Sequence, residues 1–288
     1  MLNYAMLSAA VVMFGTQFYI NRDYEKRCGN SLRAAVLFSF GTSVCGFIAL
    51  LIINKFRFEF TVFTLLMSLW NVVNMLLFFF FSLKAFSKIN LSVYSVFSML
   101  GGMALPSAVG LLFYGEKLSF GKVFCFLCIC AALALTVEKG ESKKGYIWYA
   151  GIFILNGMSG VTSKIFTDAP YAKTSAAGFS VLSSLLGAVV SLLLLLVIKD
   201  AAVKLDFRAI IDMAGYGTGN KIANYLLLLA LESLPASVQY PFITGGVMIV
   251  STVLCYFTPQ KPTKREWASV ALSFIGVVLM TLADTYSF

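Results

Sequence analysis

The feature that most constrains this chain is a series of ten long apolar stretches separated by short polar segments. Each stretch is long enough for an α-helix to cross a bilayer core, which takes about 20 residues. Backbone polar groups in lipid must be bonded within the protein, so only helices or a closed barrel can span. Continuous apolar runs such as 192–198 lack the alternation of a barrel strand. The sequence predicts an all-α integral membrane protein with ten transmembrane helices, at 3–20, 32–54, 61–83, 91–114, 119–137, 145–166, 174–198, 207–231, 235–257 and 266–284.

Charge and composition exclude several classes of protein. Only 12% of residues are charged, against about 25% in soluble domains. The net charge of +9 comes from Lys and Arg between the apolar stretches, where anionic lipid headgroups attract them. We therefore expect the lipid bilayer, and not nucleic acid, as a partner. The chain has no histidine, which removes the commonest metal ligand and general base. We expect no metal, no cofactor and no catalytic residues, because the chain has no cluster of nucleophiles and acids.

The distribution of basic residues indicates an orientation in the membrane. The first stretch lacks a basic leader and a small-residue cleavage site, so we expect a true span and not a signal peptide. Ten spans place both termini on one side. Loops on that side hold six Lys and Arg residues, and loops on the opposite side hold fifteen, including Arg22. The positive-inside rule therefore favours a multi-pass cell-membrane protein with both termini outside.

The chain contains signs of an internal repeat. With a shift of 144 residues, half the chain length, Gly101-Gly102 falls on Gly245-Gly246 and Lys117 on Lys261. Residues 1–140 and 141–288 are therefore predicted to be two five-helix repeats. Because five is odd, the second repeat enters the membrane from the opposite side. Inverted repeats of this kind are typical of secondary transporters, with the solute site at the midplane between the halves.

Several short motifs carry a resemblance to a known family. They are 230–238 (ALESLPASV) followed by Tyr240-Pro241, Pro106 followed by 115–119 (GEKLS), and Phe14-Gly15. In this order, the motifs resemble the EamA-like ten-helix branch of the drug/metabolite transporter superfamily. The resemblance implies a basket-like inverted-repeat fold with a cavity lined by helices 1, 3, 4, 6, 8 and 9. It also implies transport of small metabolites, amino acids or drugs, often as export. Members of the family commonly place their termini in the cytoplasm, against the charge distribution above.

Paired asparagines mark two of the predicted helices. Asn71 and Asn74 are three apart in the third stretch, and Asn220 and Asn224 are four apart in the eighth, so each pair shares a helical face. An amide both donates and accepts hydrogen bonds, so two such faces suit a zwitterionic or polyhydroxyl solute. The alternative is that these amides hold helices together, at about 1 kcal/mol per bond.

Lys221 is the most unusual single residue, because it lies near the middle of the eighth stretch. An ammonium at the bilayer centre costs about 2.5–3.5 kcal/mol on insertion scales. No acidic residue lies within one helical turn, so we hypothesise that Lys221 attracts a carboxylate or phosphate of the solute. The alternative is that its side chain reaches one membrane interface.

Further polar and aromatic residues in the apolar stretches complete the candidate binding set. Polar side chains at membrane depth tend to face the protein interior or a watery cavity, and these are Gln17, Asn156, Gln239 and Tyr240, with Trp70 and Tyr94 as aromatic walls or interfacial anchors. We assign close helix packing or hinge motion to the small and kink-forming residues Gly101, Gly102, Pro106, Pro241, Gly245 and Gly246.

Together these features predict a secondary transporter of a small metabolite, amino acid or drug-like solute, working by alternating access and by export or exchange. No Asp or Glu lies near the centre of a stretch, which favours facilitated diffusion or exchange over proton coupling. A translocator of a lipid-linked sugar would share the fold, and an integral-membrane enzyme is a weaker alternative. We expect a monomer or homodimer.

Overall fold

The computed structural model describes residues 2–88, 91–113, 143–199, 202–231, 236–257 and 261–286, with isolated helical residues between 120 and 135. The continuous ranges contain nine helices, each lying over one predicted stretch, and the stretch at 119–137 falls mostly outside the described residues. Helices are therefore confirmed at these nine places. They are α1 (Leu2–Cys28), α2 (Leu32–Ile53), α3 (Val62–Phe86), α4 (Leu91–Phe113), α5 (Lys143–Asp168), α6 (Ala176–Val197), α7 (Phe207–Leu231), α8 (Ala236–Cys255) and α9 (Lys264–Tyr286).

Three of these helices, α2, α3 and α6, are long and apolar enough to cross a membrane by length and composition. α1, α7 and α9 carry charged residues at their ends or, in α7, at Lys221. Charges of this kind lower the mean hydropathy of a helix without preventing a crossing when they face protein or interface. That ten helices cross stays a prediction.

Five of the described helices begin at a side chain that caps the first turn. The oxygens of Ser31, Thr61, Ser175, Asp206 and Thr263 each accept a hydrogen bond from the backbone N–H three residues later, at 2.8–3.3 Å. Such caps satisfy a donor that the helix itself leaves unpaired. They fix where α2, α3, α6, α7 and α9 begin.

The predicted end of the first helix is wrong. We expected it at Ile20, before the polar run Asn21-Arg22-Asp23, but α1 continues to Cys28 and stops before Gly29, whose φ is +78°. Charged residues do not break a helix, whereas a glycine in the left-handed region ends one. Arg22 is only 3% exposed and lies inside the helix, so it does not belong to a loop.

The helices pack across the two halves of the chain. α1 packs on α7 and α8, α2 on α6 and α7, α3 on α5 and α6, and α4 on α5 and α8. Two hydroxyl pairs join α6 to its neighbours: Ser191 donates to Ser39 on α2, and Ser183 to Ser68 on α3, both at 3.0 Å. The bundle thus has two ends, a near end with residues 54–61 and 169–175, and a far end with residues 29–31, 198–199 and 202–206.

The two ends are held by different interactions. At the near end, the Glu59 carboxylate accepts hydrogen bonds from the backbone N–H and the hydroxyl of Ser175, at 2.6 and 2.8 Å. At the far end, Arg27 lies 3.1 Å from Asp23 and 3.3 Å from Asp206. The pKa of Asp206 is lowered, because its carboxylate accepts from the Ala209 N–H and because Arg27 is near.

An aromatic layer fills the bundle towards the far end. It consists of Tyr24 from α1, Phe38 from α2, Phe79 from α3 and Tyr216 from α7, with ring centroids 4.5–5.5 Å apart in successive contacts. All four rings are at most 7% exposed. Edge-to-face packing of this kind adds to the stabilisation from burial. The layer therefore forms the floor of whatever space lies between these helices on the near-end side.

Candidate functional site: a polar cleft between four helices

A cleft opens between α2, α3, α6 and α7, above the aromatic layer. Its atom-free space is about 490 Å³, counting the part open to the surroundings. The described residues that line it are mostly small or polar: Ser39, Thr42, Ser43, Asn71, Val72, Met75, Phe79, Ser183, Ser184, Gly187, Tyr216, Gly217, Asn220 and Lys221.

The helices that line this cleft differ from those implied by the family resemblance. The resemblance implies the first, third, fourth, sixth, eighth and ninth of the ten predicted helices. The described lining comes from α2, α3, α6 and α7, which are the second, third, seventh and eighth of those ten. The physical reason is the small side chains of α2 and α6, which leave room between helices. α3 and α7, the third and eighth of the ten, are common to both sets, and they supply Asn71, Asn220 and Lys221.

Lys221 is the one charged residue among the described residues of the cleft. Its aliphatic stem packs against α2 at Gly46, where an added Cβ would lie 2.8 Å from the lysine Cγ. No carboxylate among the described residues forms an ion pair with it. A cation surrounded by hydroxyls, amides and rings has a strong electrostatic preference for an anion that enters the cleft.

Other polar groups of the cleft are uncommitted. Within the described part of the chain, Asn71, Ser43 and Tyr216 make no side-chain hydrogen bond, and neither does Lys221. By contrast, Ser183 donates to Ser68, and Thr42 donates to the Ser39 carbonyl. Polar groups at membrane depth tend to face a watery cavity when they have no protein partner. The cleft can therefore offer an ammonium, an amide and two hydroxyls to a solute.

An amide chain leads from the cleft towards α1. Asn224 donates to the side-chain oxygen of Asn220 at 3.2 Å and to its carbonyl at 2.8 Å. Asn220 in turn donates to Gln17 Oε1 at 2.9 Å. Three of the predicted site residues are thus brought together. Asn220 lines the cleft, while Gln17 lies behind it, 4% exposed.

Other predicted site residues lie elsewhere. Asn74 donates to the Leu155 carbonyl at 3.0 Å, and Asn156 to the Ser98 carbonyl at 2.6 Å, so both join neighbouring helices. Tyr94 is fully buried, shares a hydrogen bond with Ser82 at 2.6 Å and does not line the cleft. Trp70 is 53% exposed on the outer surface. Trp70 is therefore not among the described residues of the cleft wall.

The predicted packing residues lie at close helix approaches. A Cβ at Gly101 would collide with the Phe153 carbonyl of α5, and one at Gly246 would lie 2.8 Å from Val11 of α1. The same test puts Gly102 against Asn156 and Gly245 against Phe274, and places the Pro106 ring against Gly160. Gln239, Tyr240 and Pro241 have side chains outside the described residues.

Sequence reasoning missed most of the cleft. Ser39, Ser43 and Ser183 were not singled out, because serine is common in membrane helices and carries no charge. The signal available was spacing: Ser39, Thr42, Ser43 and Gly46 follow one face of α2, and Ser183, Ser184, Gly187 and Ser191 follow one face of α6. Such faces indicate either close packing or a lined cavity.

Comparison with known proteins gives two partial likenesses. Over 56 residues, the chain is 36% identical to a protein named "Probable 4-amino-4-deoxy-L-arabinose-phosphoundecaprenol flippase subunit ArnE" from Yersinia pestis (strain Pestoides F), and to its counterpart from Yersinia pseudotuberculosis serotype O:3 (strain YPIII). The match covers 19% of this chain and 49% of those proteins, so the chain spans about half the length of the relatives it matches. No family model matches the chain.

The second likeness is structural. A solved structure described as "Crystal structure of protein" superposes with a TM-score of 0.65 over 97% of both chains, at 14% identity. At this identity the likeness concerns the fold alone. The chain therefore shares its whole fold with a solved protein, and a short sequence region with a flippase subunit.

Proposed function

We propose that this chain is a membrane transporter that binds a solute with an anionic group in the cleft between α2, α3, α6 and α7. The observation that carries the proposal is Lys221, a cation without a described counter-charge in a cleft of uncommitted polar groups. The short likeness to a flippase subunit points to a transporter rather than an enzyme. Secondary transport by alternating access, as export or exchange, is the mechanism that we infer from this site.

The packing of the helices supports two inverted repeats. In two repeats, 1–140 and 141–288, α1 corresponds to α5, α2 to α6, α3 to α7 and α4 to α8. Exchanging corresponding helices turns the contact of α1 with α7 into that of α5 with α3, and the contact of α1 with α8 into that of α5 with α4. Likewise, α2 with α7 becomes α6 with α3, while α2 with α6 and α4 with α8 map onto themselves. All of these contacts occur. Moreover, a Cβ at Gly187 would lie 2.6 Å from Ser43, which is 144 positions earlier.

A pair of residues that are 144 positions apart and in contact is what a two-fold axis through that point produces. Such an axis would run between α2 and α6, beside the cleft. This is where an inverted-repeat transporter holds its solute, between halves that rock against each other. The drug/metabolite transporter resemblance and the EamA-like branch fit this arrangement.

A second candidate is a translocator of a lipid-linked sugar, favoured by the name of the flippase subunits that match 56 residues. Both candidates need recognition of a negatively charged group, which is a phosphate in a lipid-linked substrate and a phosphate or carboxylate in a soluble one. They differ in whether the rest of the substrate lies in water or in lipid.

The test is thermal stabilisation of the purified full chain by methyl phosphate, acetate, glucose 6-phosphate and a polyprenyl phosphate. Each ligand is compared with the chloride salt of the same cation at the same concentration. A ligand that binds only the folded state raises its stability. We expect at least one anion to stabilise the protein, and Lys221→Met to weaken its affinity about tenfold or more, as loss of a charged hydrogen bond does. The stabilising compound is then tested for counterflow in proteoliposomes.

Lys261→Met is the matched control, because Lys261 is an exposed lysine in the loop before α9. Its affinity for the anion should equal that of the unaltered chain. Stabilisation by the polyprenyl phosphate alone would favour the lipid-linked candidate over the soluble one. Equal anion affinity in Lys221→Met and Lys261→Met would refute the proposal.

A further inference from the structure

Behind the cleft, α1 carries a second set of polar atoms that the proposed solute site does not use. Asn21 is 1% exposed, and among the described residues neither its Nδ2 nor its Oδ1 has a hydrogen-bond partner. Gln17 lies one turn earlier on the same side of α1, and its Nε2 also lacks a partner there. A buried polar group without a partner loses its hydrogen bonds to water and gains none in return, so three such atoms in adjacent turns call for an explanation.

Gln17 connects this face of α1 to the cleft. Gln17 Oε1 accepts from Asn220 Nδ2 at 2.9 Å, and Asn220 lines the cleft. Asn21 lies between Phe18 and Tyr24 on one face of α1. Phe18 packs edge-on against Tyr94 at 5.2 Å, and Tyr24 packs against Phe38 of the aromatic layer at 4.5 Å. The amide of Asn21 is thus the polar point on an otherwise aromatic face.

The chemistry of the free atoms limits what can satisfy them. Asn21 offers one donor group and one acceptor, and Gln17 offers a further donor. A phosphate or carboxylate only accepts and would leave the Asn21 oxygen unpaired, whereas an ammonium only donates. A hydroxyl or an amide does both, and its uncharged form suits a position between aromatic faces.

We propose that Gln17 and Asn21 form a second subsite, which binds a hydroxyl or amide group of the solute while its anionic group is held at Lys221. This inference rests on the proposed function and assigns a bipartite solute to the same site. It makes Asn21 a residue whose burial is unfavourable for the empty protein and favourable for the complex.

The experiment uses two ligands of like charge and two matched variants. Methyl phosphate has no hydroxyl beyond the phosphate, and glucose 6-phosphate carries several. In the unaltered chain we expect glucose 6-phosphate to raise the melting temperature more than methyl phosphate at equal concentration. Asn21→Leu should remove this difference and leave the methyl phosphate effect unchanged. Without ligand, Asn21→Leu should raise the melting temperature by about 2 °C or more, because an unpaired polar group is replaced by an apolar one of similar size.

Asn74→Leu is the control, because Asn74 is also buried, at 5% exposure, but donates to the Leu155 carbonyl. Asn74→Leu should lower the melting temperature of the protein without ligand. Glucose 6-phosphate should still raise the melting temperature of this variant more than methyl phosphate does. If glucose 6-phosphate has no advantage in the unaltered chain, or keeps its advantage in Asn21→Leu, the subsite is refuted. If Asn21→Leu destabilises as Asn74→Leu does, Asn21 is structural and the subsite is also refuted. The proposed anion site fails separately, when Lys221→Met leaves the methyl phosphate effect unchanged.

Discussion

α3 and α7 line opposite parts of the same cleft, and their differences separate the structural residues from those that can bind solute. Each contains an amide that bonds the helix next to it: Asn74, which is buried, bonds α5, and Asn220, which is partly buried and lines the cleft, bonds α1. With a shift of 146 residues, these two amides correspond. One residue further on, α3 has Met75 and α7 has Lys221, and both line the cleft. The two amides thus both join helices, whereas the charge occurs in only one helix, as the proposed anion site at Lys221 requires.

The largest effect on stability should come from giving α3 the same charge as α7. Met75→Lys places a second cation in the cleft, at a cost of about 2.5–3.5 kcal/mol for a charge at bilayer depth plus its repulsion from Lys221. We expect a strongly lowered melting temperature, measured in detergent, while Met75→Leu stays close to the unaltered chain. Adding Lys221→Met to Met75→Lys should restore most of the loss. If Met75→Lys is tolerated alone, the cleft is wetter than its lining indicates.

A smaller effect should come from the close approach of α7 to α2. A Cβ at Gly217 would collide with the backbone of Thr42, whereas at Gly219 it would meet nothing within 4 Å. Gly217→Ala should therefore destabilise by about 1–3 kcal/mol through overpacking. Gly219→Ala should be neutral or stabilising by up to about 1 kcal/mol, because alanine favours the helix. On α3, the position that matches Gly217 is Asn71, which faces the cleft, so Asn71→Ala should leave stability nearly unchanged.

The smallest effect concerns the caps that begin the two helices. α3 begins at Thr61, which does not titrate, and α7 begins at Asp206. Because the folded pKa of Asp206 is lowered, its stabilisation is present above the unfolded value of about 3.9 and is lost as the pH falls through the folded value. Melting temperature should therefore fall between pH 5 and pH 3, and Asp206→Asn should reduce that dependence. Thr61→Asn should leave it unchanged.

The sequence was sufficient for the nine described helices, because long apolar stretches are a strong signal. A lone charge inside one stretch also singled out Lys221, which lines the cleft. It did not separate Asn71 from Asn74, although they share a helical face: one faces the cleft and the other bonds to a carbonyl of α5. A few tens of degrees of helix rotation decide between these outcomes, and that rotation is set by the neighbouring helices.

Asn21 was missed for a different reason. It is followed by Arg22 and Asp23, and a run of polar residues is typical of a loop, but here no helix breaker occurs before Gly29. The serines of α2 and α6 were missed because each is unremarkable alone. Their meaning comes from the partner helix, since Ser183 meets Ser68 and Ser191 meets Ser39 only when the chain is folded.

Those serine pairs have a mechanical consequence. Interhelical hydrogen bonds in membranes average about 0.6 kcal/mol, which is close to thermal energy at room temperature. Beside the cleft, α6 meets α2 and α3 through small hydroxyls and Gly187. In the alternating-access cycle proposed above, we expect these weak contacts to let this part of α6 exchange one hydroxyl partner for another at little cost.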